Sequence, residues 1–220
     1  MLAFGLIALG LGALSGAFVA ISGGWLAFLF GLIGLLAAYF YSGVPRALSS
    51  LALGELVFFP VFGPLLLLGS YMAQTGHLDR IAYIFSISLG LLATAFIHVN
   101  NMRDTLSDAQ AGKLTVASLL GLRLSRTLYV LLVLGAYIPV MALALPSHAP
   151  HLFLLVLWTL PGLVIALTTV LRTASPASLH TAMYQTLKLE TFFTIMLVVA
   201  LIVTAVLPVL PHLPSINLPV

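Results

Sequence analysis

The chain has 220 residues, of which eight are lysine or arginine, five are aspartate or glutamate and 62% are hydrophobic. Soluble domains are about 25% charged, so a charged fraction of 6% excludes a water-soluble globule, a disordered chain and a nucleic-acid-binding domain. The absence of cysteine excludes disulfide scaffolds, thiolate metal sites and cysteine nucleophiles. We therefore predict an all-α, multi-pass transmembrane helical bundle that forms one domain over residues 1–220.

Long uncharged stretches predict the spans. A spanning helix needs about 20 apolar residues, because the hydrocarbon core of a bilayer is about 30 Å thick. The stretch before Arg46 has room for two spans with a break at Gly23-Gly24, and it lacks the positive n-region of a signal peptide. In chain order, we expect spans near 2–22 and 24–41, one between Glu55 and Asp79, one between Arg80 and Arg103, two between Arg126 and Arg172 that are broken around Pro146–His148, and one near 191–210. The total is about seven.

The positive charges are distributed unevenly between the two sides of this predicted bundle. All but Arg80 fall in the loops after the second, fourth and sixth spans, namely Arg46, Arg103, Lys113, Arg123, Arg126, Arg172 and Lys188. Lysine and arginine are enriched in cytoplasmic loops. We therefore expect a protein of the cell (inner) membrane with a cytoplasmic N-terminus and an external C-terminus.

The loop after the fourth span holds the longest polar stretch of the chain. Asn100, Asp104 and Asp108 are spaced by four, so on a helix they would lie on one face. Carboxylate and amide oxygens suit Mg²⁺, and Arg103 and Lys113 supply positive charge for a diphosphate. The plainer alternative is a solvated loop whose charges face water. We favour a metal–diphosphate site, because ionisable groups at a membrane boundary are functional candidates by default.

Three further residues each allow two interpretations. Glu55 either faces a cavity or stabilises the N-terminus of the third span through the helix dipole. Tyr41 is either an interfacial aromatic residue or a substrate contact. Lys188, just before the last predicted span, either extends its charge to the membrane surface or contacts phosphate.

These motifs resemble the UbiA superfamily of membrane prenyltransferases, and most closely its 1,4-dihydroxy-2-naphthoate polyprenyltransferases. The segment Asn100-Asn101-Met102-Arg103-Asp104, followed by Asp108 and by Ala111-Gly112-Lys113, is similar to the second aspartate-rich motif of that group. Leu53-Gly54-Glu55 and Gln74-Thr75-Gly76 are also similar, and the resemblance covers roughly residues 20–210. The chain departs from the group at Leu114 and Leu119, where basic residues are common, and at Ser50-Leu51-Ala52, which replaces a more polar pattern.

The resemblance implies a fold of nine helices, with a first aspartate-rich motif after the second helix. The carboxylates of this chain are Glu55, Asp79, Asp104, Asp108 and Glu190, and they form no such motif. We therefore expect the seven spans to correspond to family helices three to nine, in a domain that is N-terminally incomplete. Two hypotheses follow: either Met1 is an internal residue of a longer enzyme, or the gene is truncated. An open reading frame upstream that encodes an aspartate-rich loop would support the first.

The resemblance implies Mg²⁺-dependent transfer of a polyprenyl group from an allylic diphosphate to an aromatic acceptor, 1,4-dihydroxy-2-naphthoate, in menaquinone biosynthesis. It implies membrane lipid as the surrounding partner. It assigns Asp104, Asp108, Arg103 and Lys113 to catalysis, and Asp104, Asp108 and Asn100 to the metal. Substrate binding is assigned to Asn100, Asn101, Tyr41, Glu55 and Lys188. Two alternatives stay open: a cation-coupled membrane transporter, and a non-catalytic prenyl-lipid-binding remnant.

Overall fold

The computed structural model describes residues 2–145, 151–172 and 175–206. Within those ranges every regular element is helical, and the only β-type pairing is an isolated parallel bridge between Leu51 and Leu114. The α-helices are α1 (Leu2–Ser42), α2 (Gly54–Pro60), α3 (Leu66–Thr75), α4 (Arg80–Arg103), α5 (Thr105–Gln110), α6 (Val116–Gly135), α7 (Tyr137–Ala144), α8 (Leu160–Arg172) and α9 (Pro176–Val206). Leu48–Ser50 and His151–Thr159 are 3₁₀ helices, and Val61–Leu65 is a π-helical stretch. The all-α prediction is confirmed.

Six helices among the described residues are long and apolar enough to cross a membrane. They are Gly23–Ser42, Gly54–Thr75, Arg80–Arg103, Val116–Ala144, His151–Arg172 and Pro176–Val206. A shorter apolar helix, Ile7–Val19, lies where the first of the seven spans is expected. The chain is therefore a multi-pass membrane protein. The break that we expect around Pro146–His148 falls outside the described residues.

The expected break in the first apolar stretch is present within α1. Gly24 has φ +77° and ψ −177°, a backbone conformation that residues with a Cβ rarely adopt. The helix therefore changes direction there. Gly121, with φ +67°, breaks α6 in the same way, so that the Val116–Leu120 turn is offset from the rest of that span.

The third predicted span is a composite of α2, the π-helical stretch and α3. Pro60 and Pro64 lie inside it, and a proline cannot donate the backbone hydrogen bond that an α-helix requires at its position. The wider π-helical turn accommodates this missing donor. Gly63, within the turn, lies directly against the backbone of α4 at Ser86 and Gly90.

Helix α4 forms the centre of the bundle, and 56% of its most apolar stretch is buried, against 6% in Gly23–Ser42. It packs against α6, α9, α7 and the α2–α3 span. Two buried hydroxyl pairs also join neighbouring helices: Tyr129 with Thr186, with oxygens 2.8 Å apart, and Tyr137 with Thr159, with oxygens 2.6 Å apart. Side chains or backbone groups of α2, α6 and α9 contact the C-terminal part of α4.

The loops that follow α1 and α5 meet beside that end of α4. The Ala52 amide donates to the Leu114 carbonyl (2.9 Å), and the Leu114 amide donates to the Ser50 carbonyl (3.1 Å). This pairing places the loop that precedes Glu55 next to the loop that carries Lys113. The N-terminal turns of α9 reach the same end through His180 and Met183.

The boundary of the last span differs from our expectation. We expected it near 191–210, with Lys188 and Glu190 just before it. Helix α9 instead begins at Pro176 and continues through both residues to Val206, and residues 207–210 fall outside the described part. Single charged residues with long side chains do not end a helix, so charge positions alone set this boundary too late.

Candidate functional site

Arg103, the last residue of α4, organises a polar cluster at the end of the bundle. Its Nε donates to Asp104 Oδ1 (2.7 Å), and its Nη2 donates to Asp104 Oδ2 (2.6 Å), which makes a bidentate ion pair. The same Nη2 also donates to Asn100 Oδ1 (2.8 Å). Two oxygens from the predicted motif therefore converge on one cationic nitrogen.

The backbone at the end of α4 explains how these side chains meet. Asp104 is the C-cap residue, and its amide donates to the Asn100 carbonyl (3.1 Å). The Asp108 amide donates in turn to the Asp104 carbonyl (2.8 Å) within the next short helix, α5. The spacing of four thus persists in the hydrogen bonding, although the helix is interrupted at Asp104 and the three side chains do not form one continuous helical face.

Asp108 forms a second ion pair a short distance along the chain. Its Oδ1 lies 3.4 Å from Lys113 Nζ, and the Lys113 amide donates to the Asp108 carbonyl (2.8 Å). Asp108 Oδ2 is buried and accepts no hydrogen bond from the described residues. A buried carboxylate oxygen without a donor is costly, by about 1–3 kcal/mol or more for a charged group. This oxygen is therefore suited to receive a cation or a donor.

Helix α9 contributes two residues to the Arg103 cluster. Arg103 Nη1 donates to His180 Nδ1 (3.2 Å) and approaches Met183 Sδ at 3.4 Å. His180 and Met183 are three apart, so they lie on one face of α9. The guanidinium is thus fixed by α4 and α9 together.

The ion pair with Arg103 also changes the acidity of Asp104. The hydrogen bonds from Arg103 lower the pKa of the Asp104 carboxyl below its ordinary value, against an opposing effect of burial. The positive charges of Arg103 and Lys113 lower the pKa further. Asp104 is therefore held in its ionised form, which is the form that binds a metal ion or pairs with arginine.

The oxygen atoms at this site are of the type that binds a divalent cation. Within the described ranges, no group of three or more His, Cys, Asp or Glu side chains is placed to hold a metal ion. The available donors are two carboxylates, Asp104 and Asp108, and the Asn100 amide oxygen. Magnesium typically uses one or two protein carboxylates and completes its coordination with water and substrate phosphates. Asp108 Oδ2 has no partner among the described residues, whereas Asn100 Oδ1 and Asp104 Oδ2 both accept from Arg103 Nη2, so a metal ion that used those two oxygens would displace the guanidinium.

Glu55 and Asn101 belong to a different, buried polar cluster. Glu55 Oε1 accepts a hydrogen bond from Asn101 Nδ2 (3.1 Å) and lies 2.9 Å from His98 Nδ1. His98 Nε2 lies 3.1 Å from the Ser125 carbonyl of α6. Glu55 lies in the first turn of α2, where the helix dipole favours an acid, and its side chain also joins α2 to α4 and, through His98, to α6, so the two interpretations do not exclude each other.

Tyr41 lies next to this second cluster, whereas Lys188 lies apart from both clusters. A Cβ added to Gly54 would be 3.8 Å from the Tyr41 hydroxyl and 3.9 Å from Asn101 Nδ2, so both groups lie beside Gly54. Lys188 instead lines an apolar cavity of about 590 Å³ between the Trp158–Ile165 region and α9. The structure therefore groups eight of the nine predicted site residues at one end of the bundle and leaves Lys188 about two helical turns beyond His180.

Sequence reasoning missed His98, His180 and Met183. His98 is fully buried, and it precedes Asn101 by three residues, so a helical projection would have placed both on one face of α4. A histidine within an apolar helix, in register with a predicted amide ligand, was the available signal. His180 and Met183 are 77 and 80 residues from Arg103 in the chain, and no local pattern indicates that contact.

Comparison with known proteins finds one protein family that matches most of the chain. The model of the UbiA prenyltransferase family matches residues 1–194. No solved structure matches the chain.

Three relatives illustrate the similarity. A UbiA prenyltransferase domain-containing protein 1 homolog of Drosophila melanogaster is 37% identical over 167 residues, covering 76% of this chain and 45% of that protein. A 1,4-dihydroxy-2-naphthoate octaprenyltransferase of Bacillus subtilis is 28% identical over 204 residues, covering 93% and 66%. Another, of Mycobacterium tuberculosis, is 34% identical over 171 residues, covering 76% and 54%. The chain thus spans 45% to 66% of the length of these relatives.

Proposed function

The chain belongs to the UbiA prenyltransferase family, and on that premise we propose that it transfers a polyprenyl group from an allylic diphosphate to an aromatic acceptor. The observation that carries the proposal is the convergence of Asn100, Asp104 and Arg103, beside Asp108 and Lys113, at the polar end of an apolar bundle. Acidic and basic groups together are what a metal-bound diphosphate requires.

We propose 1,4-dihydroxy-2-naphthoate as the acceptor, in a step of menaquinone biosynthesis. The support is the similarity to the two octaprenyltransferases whose names state that acceptor. An electron-rich hydroxylated ring is also the kind of nucleophile that an allylic cation needs.

Arg103 and Lys113 would bind the diphosphate oxygens by charge-assisted hydrogen bonds, and so stabilise the negative charge that develops on the leaving group. Asp104, Asp108 and Asn100 would hold Mg²⁺, which when bound neutralises part of the diphosphate charge. In this structure the Arg103 guanidinium donates to Asn100 and Asp104. Binding of diphosphate therefore requires Arg103 to release one of these hydrogen bonds and donate to a phosphate oxygen instead.

The apolar helices around the polar cluster would exclude water from the allylic carbon that loses the diphosphate. An apolar cavity of about 590 Å³ between α1 and α2 is lined by residues such as Phe30, Phe40, Leu48, Leu56 and Pro60. Leu56, which follows Glu55 in the chain, is one of these lining residues, and the cavity would give the prenyl tail an apolar environment. We further propose that this end of the bundle is cytoplasmic, in the cell (inner) membrane, because the loops there carry nearly all of the lysine and arginine.

The test is prenyl transfer by the 220-residue chain in proteoliposomes, with Mg²⁺, a polyprenyl diphosphate and 1,4-dihydroxy-2-naphthoate. Asp104→Asn is expected to lower transfer about 100-fold or more, because it removes the charge that holds both Arg103 and the metal. Asp79→Asn is the matched control, since Asp79 caps α4 through the Ile81 amide and asparagine caps helices equally well.

Each outcome has a distinct meaning. Full transfer by Asp104→Asn would refute the assignment of Asp104. Mg²⁺-dependent binding of the diphosphate without any product from the unaltered chain would support the non-catalytic alternative. Cation uptake by the vesicles without product would support a transporter.

A further inference from the structure

The two carboxylate oxygens of Glu55 have different surroundings. Oε1 accepts a hydrogen bond from Asn101 Nδ2 (3.1 Å) and lies 2.9 Å from His98 Nδ1. Oε2 is buried and has no hydrogen-bond partner among the described residues. The residue as a whole is 7% exposed. One oxygen is therefore fixed in position, and the other has its acceptor capacity unused.

The link between helices α2, α4 and α6 explains the contacts of Oε1 but leaves the buried Oε2 without a role. A buried oxygen without a donor costs free energy, and the cost is recovered only when a donor arrives. His98 is itself held from its other side, because Nε2 faces the Ser125 carbonyl at 3.1 Å and a carbonyl can only accept. The carboxylate thus cannot rotate to pair Oε2 without breaking the contacts of Oε1.

A group of aromatic rings from α1, α2 and the π-helical stretch lies near Glu55 in the fold. Phe58 is three residues after Glu55, so both project to one side of α2. The Tyr41 and Phe58 ring centroids are 6.2 Å apart, and Phe58 stacks on Phe62 with centroids 4.0 Å apart. The Tyr41 hydroxyl and the Asn101 amide both lie beside Gly54, 3.8 Å and 3.9 Å from the position that a Cβ would take there. Aromatic side chains next to an acceptor-only oxygen match a flat ring that carries a hydroxyl group.

We propose that Glu55 binds the hydroxyl group of the aromatic acceptor through Oε2 and takes its proton during prenyl transfer. The inference rests on the proposed function, and it adds the group that activates the acceptor, which neither the aspartate-rich motif nor the family match supplies. His98 and Asn101 are positioning residues, since they hold Oε1 and so direct Oε2.

The bond between the allylic carbon and the diphosphate oxygen breaks, and its electron pair leaves with the diphosphate. A ring carbon next to the hydroxyl-bearing carbon forms the new C–C bond, while the hydroxyl proton passes to Oε2 and the ring oxygen becomes a carbonyl. When the attacked carbon then loses its carboxylate as carbon dioxide, the C–C electron pair returns to the ring, and the proton returns from Glu55 to the ring oxygen.

The experiment compares Glu55→Gln with the unaltered chain in proteoliposomes. Glutamine keeps the size of the side chain but is a far weaker base, and we expect transfer to fall about 100-fold or more, in line with other general bases. Binding of the polyprenyl diphosphate, measured separately, should change by less than about twofold. Glu190→Gln, the same substitution in α9 away from both clusters, should leave transfer unchanged.

The acidity of the acceptor separates a base from a structural residue. With ring-halogenated acceptors, whose hydroxyl ionises more readily, Glu55→Gln should recover transfer about tenfold for each unit by which the acceptor pKa falls towards the assay pH, whereas the unaltered chain should respond weakly. His98→Asn, which keeps a donor towards Oε1, should retain more transfer than His98→Leu.

Several results would overturn the inference. Equal transfer by Glu55→Gln, or a loss of transfer that no acceptor acidity restores, would show that Glu55 is not the base. If the variant fails to fold, the unaltered chain still gives a test, because an acceptor methylated on the hydroxyl should be prenylated at least about 100-fold more slowly, and equal rates would refute the proposal. No product from the unaltered chain with any acceptor would instead refute the proposed function.

Discussion

At the scale of single residues, Arg103 has more partners than its place in the motif indicates. The motif assigns it to phosphate, and the structure shows its guanidinium held by Asn100, Asp104, His180 and Met183. A cationic nitrogen therefore lies at the point on which the predicted metal donors converge. The Arg103 guanidinium can exchange its hydrogen bonds to Asn100 and Asp104 for equivalent charge-assisted hydrogen bonds to phosphate oxygens.

The protonation of Asp104 gives a test at this scale. Arg103 lowers the pKa of the Asp104 carboxyl, so the stabilisation from this pair is present above the ordinary pKa of aspartate and is lost as the pH falls through the lowered pKa. We expect Arg103→Gln to raise the protonation midpoint towards the ordinary value. The carboxyl infrared band of isotope-labelled aspartate reports it, after subtraction of the Asp104→Asn spectrum. Lys113→Gln, which removes a more distant charge, should raise the midpoint less, and an unchanged midpoint in Arg103→Gln would contradict the pairing.

At the scale of elements, the site depends on the close approach of two spans. The first helical segment after Ala52 carries Glu55, and α4 carries His98 and Asn101, so the spacing between α2 and α4 sets these hydrogen bonds. The π-helical stretch brings Gly63 against α4, where a Cβ would lie 2.5 Å from the Ser86 carbonyl oxygen and 2.8 Å from the Gly90 Cα. Backbone atoms cannot yield as a flexible side chain can.

Gly63→Ala should therefore separate the two spans. We expect it to destabilise the protein by about 1–3 kcal/mol, the usual cost of overpacking, and to weaken the Glu55 cluster. Unfolding in mixed detergent micelles measures the first effect. Gly31→Ala is the control, because a Cβ there meets no heavy atom within 4 Å. Equal stability of the two variants would show that Gly63 is not a packing constraint.

At the scale of the whole molecule, the loops between the spans separate by charge. The ends of α1, α4 and α8 and the start of α9 share one end of the bundle, as the Leu51–Leu114 bridge and the Arg103–His180 contact show. The turn between α3 and α4, with His77 and Asp79, lies at the other ends of those spans. In a series of antiparallel spans, alternate loops lie on opposite sides of the membrane. The side on which one positively charged loop lies therefore predicts the side of every other loop.

The proposed orientation can be measured directly because the chain has no cysteine. Single cysteines at exposed positions, His77→Cys and Ser107→Cys, can be probed with a membrane-impermeant maleimide in intact cells. His77→Cys should react from outside, and Ser107→Cys should react only after the membrane is opened. The reverse pattern would place the diphosphate site outside the cell.

The sequence by itself determined the membrane class, the number of spans within one, the break at Gly24 and the motif Asn100–Asp108. These features follow from composition and from spacing within one helix or loop, and such local patterns are visible in a linear chain. It placed the start of the last span too late, because helix α9 carries charged side chains in its interior without ending.

Only the tertiary structure decided that the predicted residues divide into two clusters, with Lys188 apart from both. Asn100 and Asn101 are neighbours, yet successive residues of a helix point in directions about 100° apart, so one joins Arg103 and Asp104 while the other joins Glu55. The partners His98, Ser125 and His180 come from helices whose packing no local pattern specifies. The unused oxygen of Glu55 becomes apparent only once all of those helices are in place, since burial is a property of the packed bundle and not of the residue.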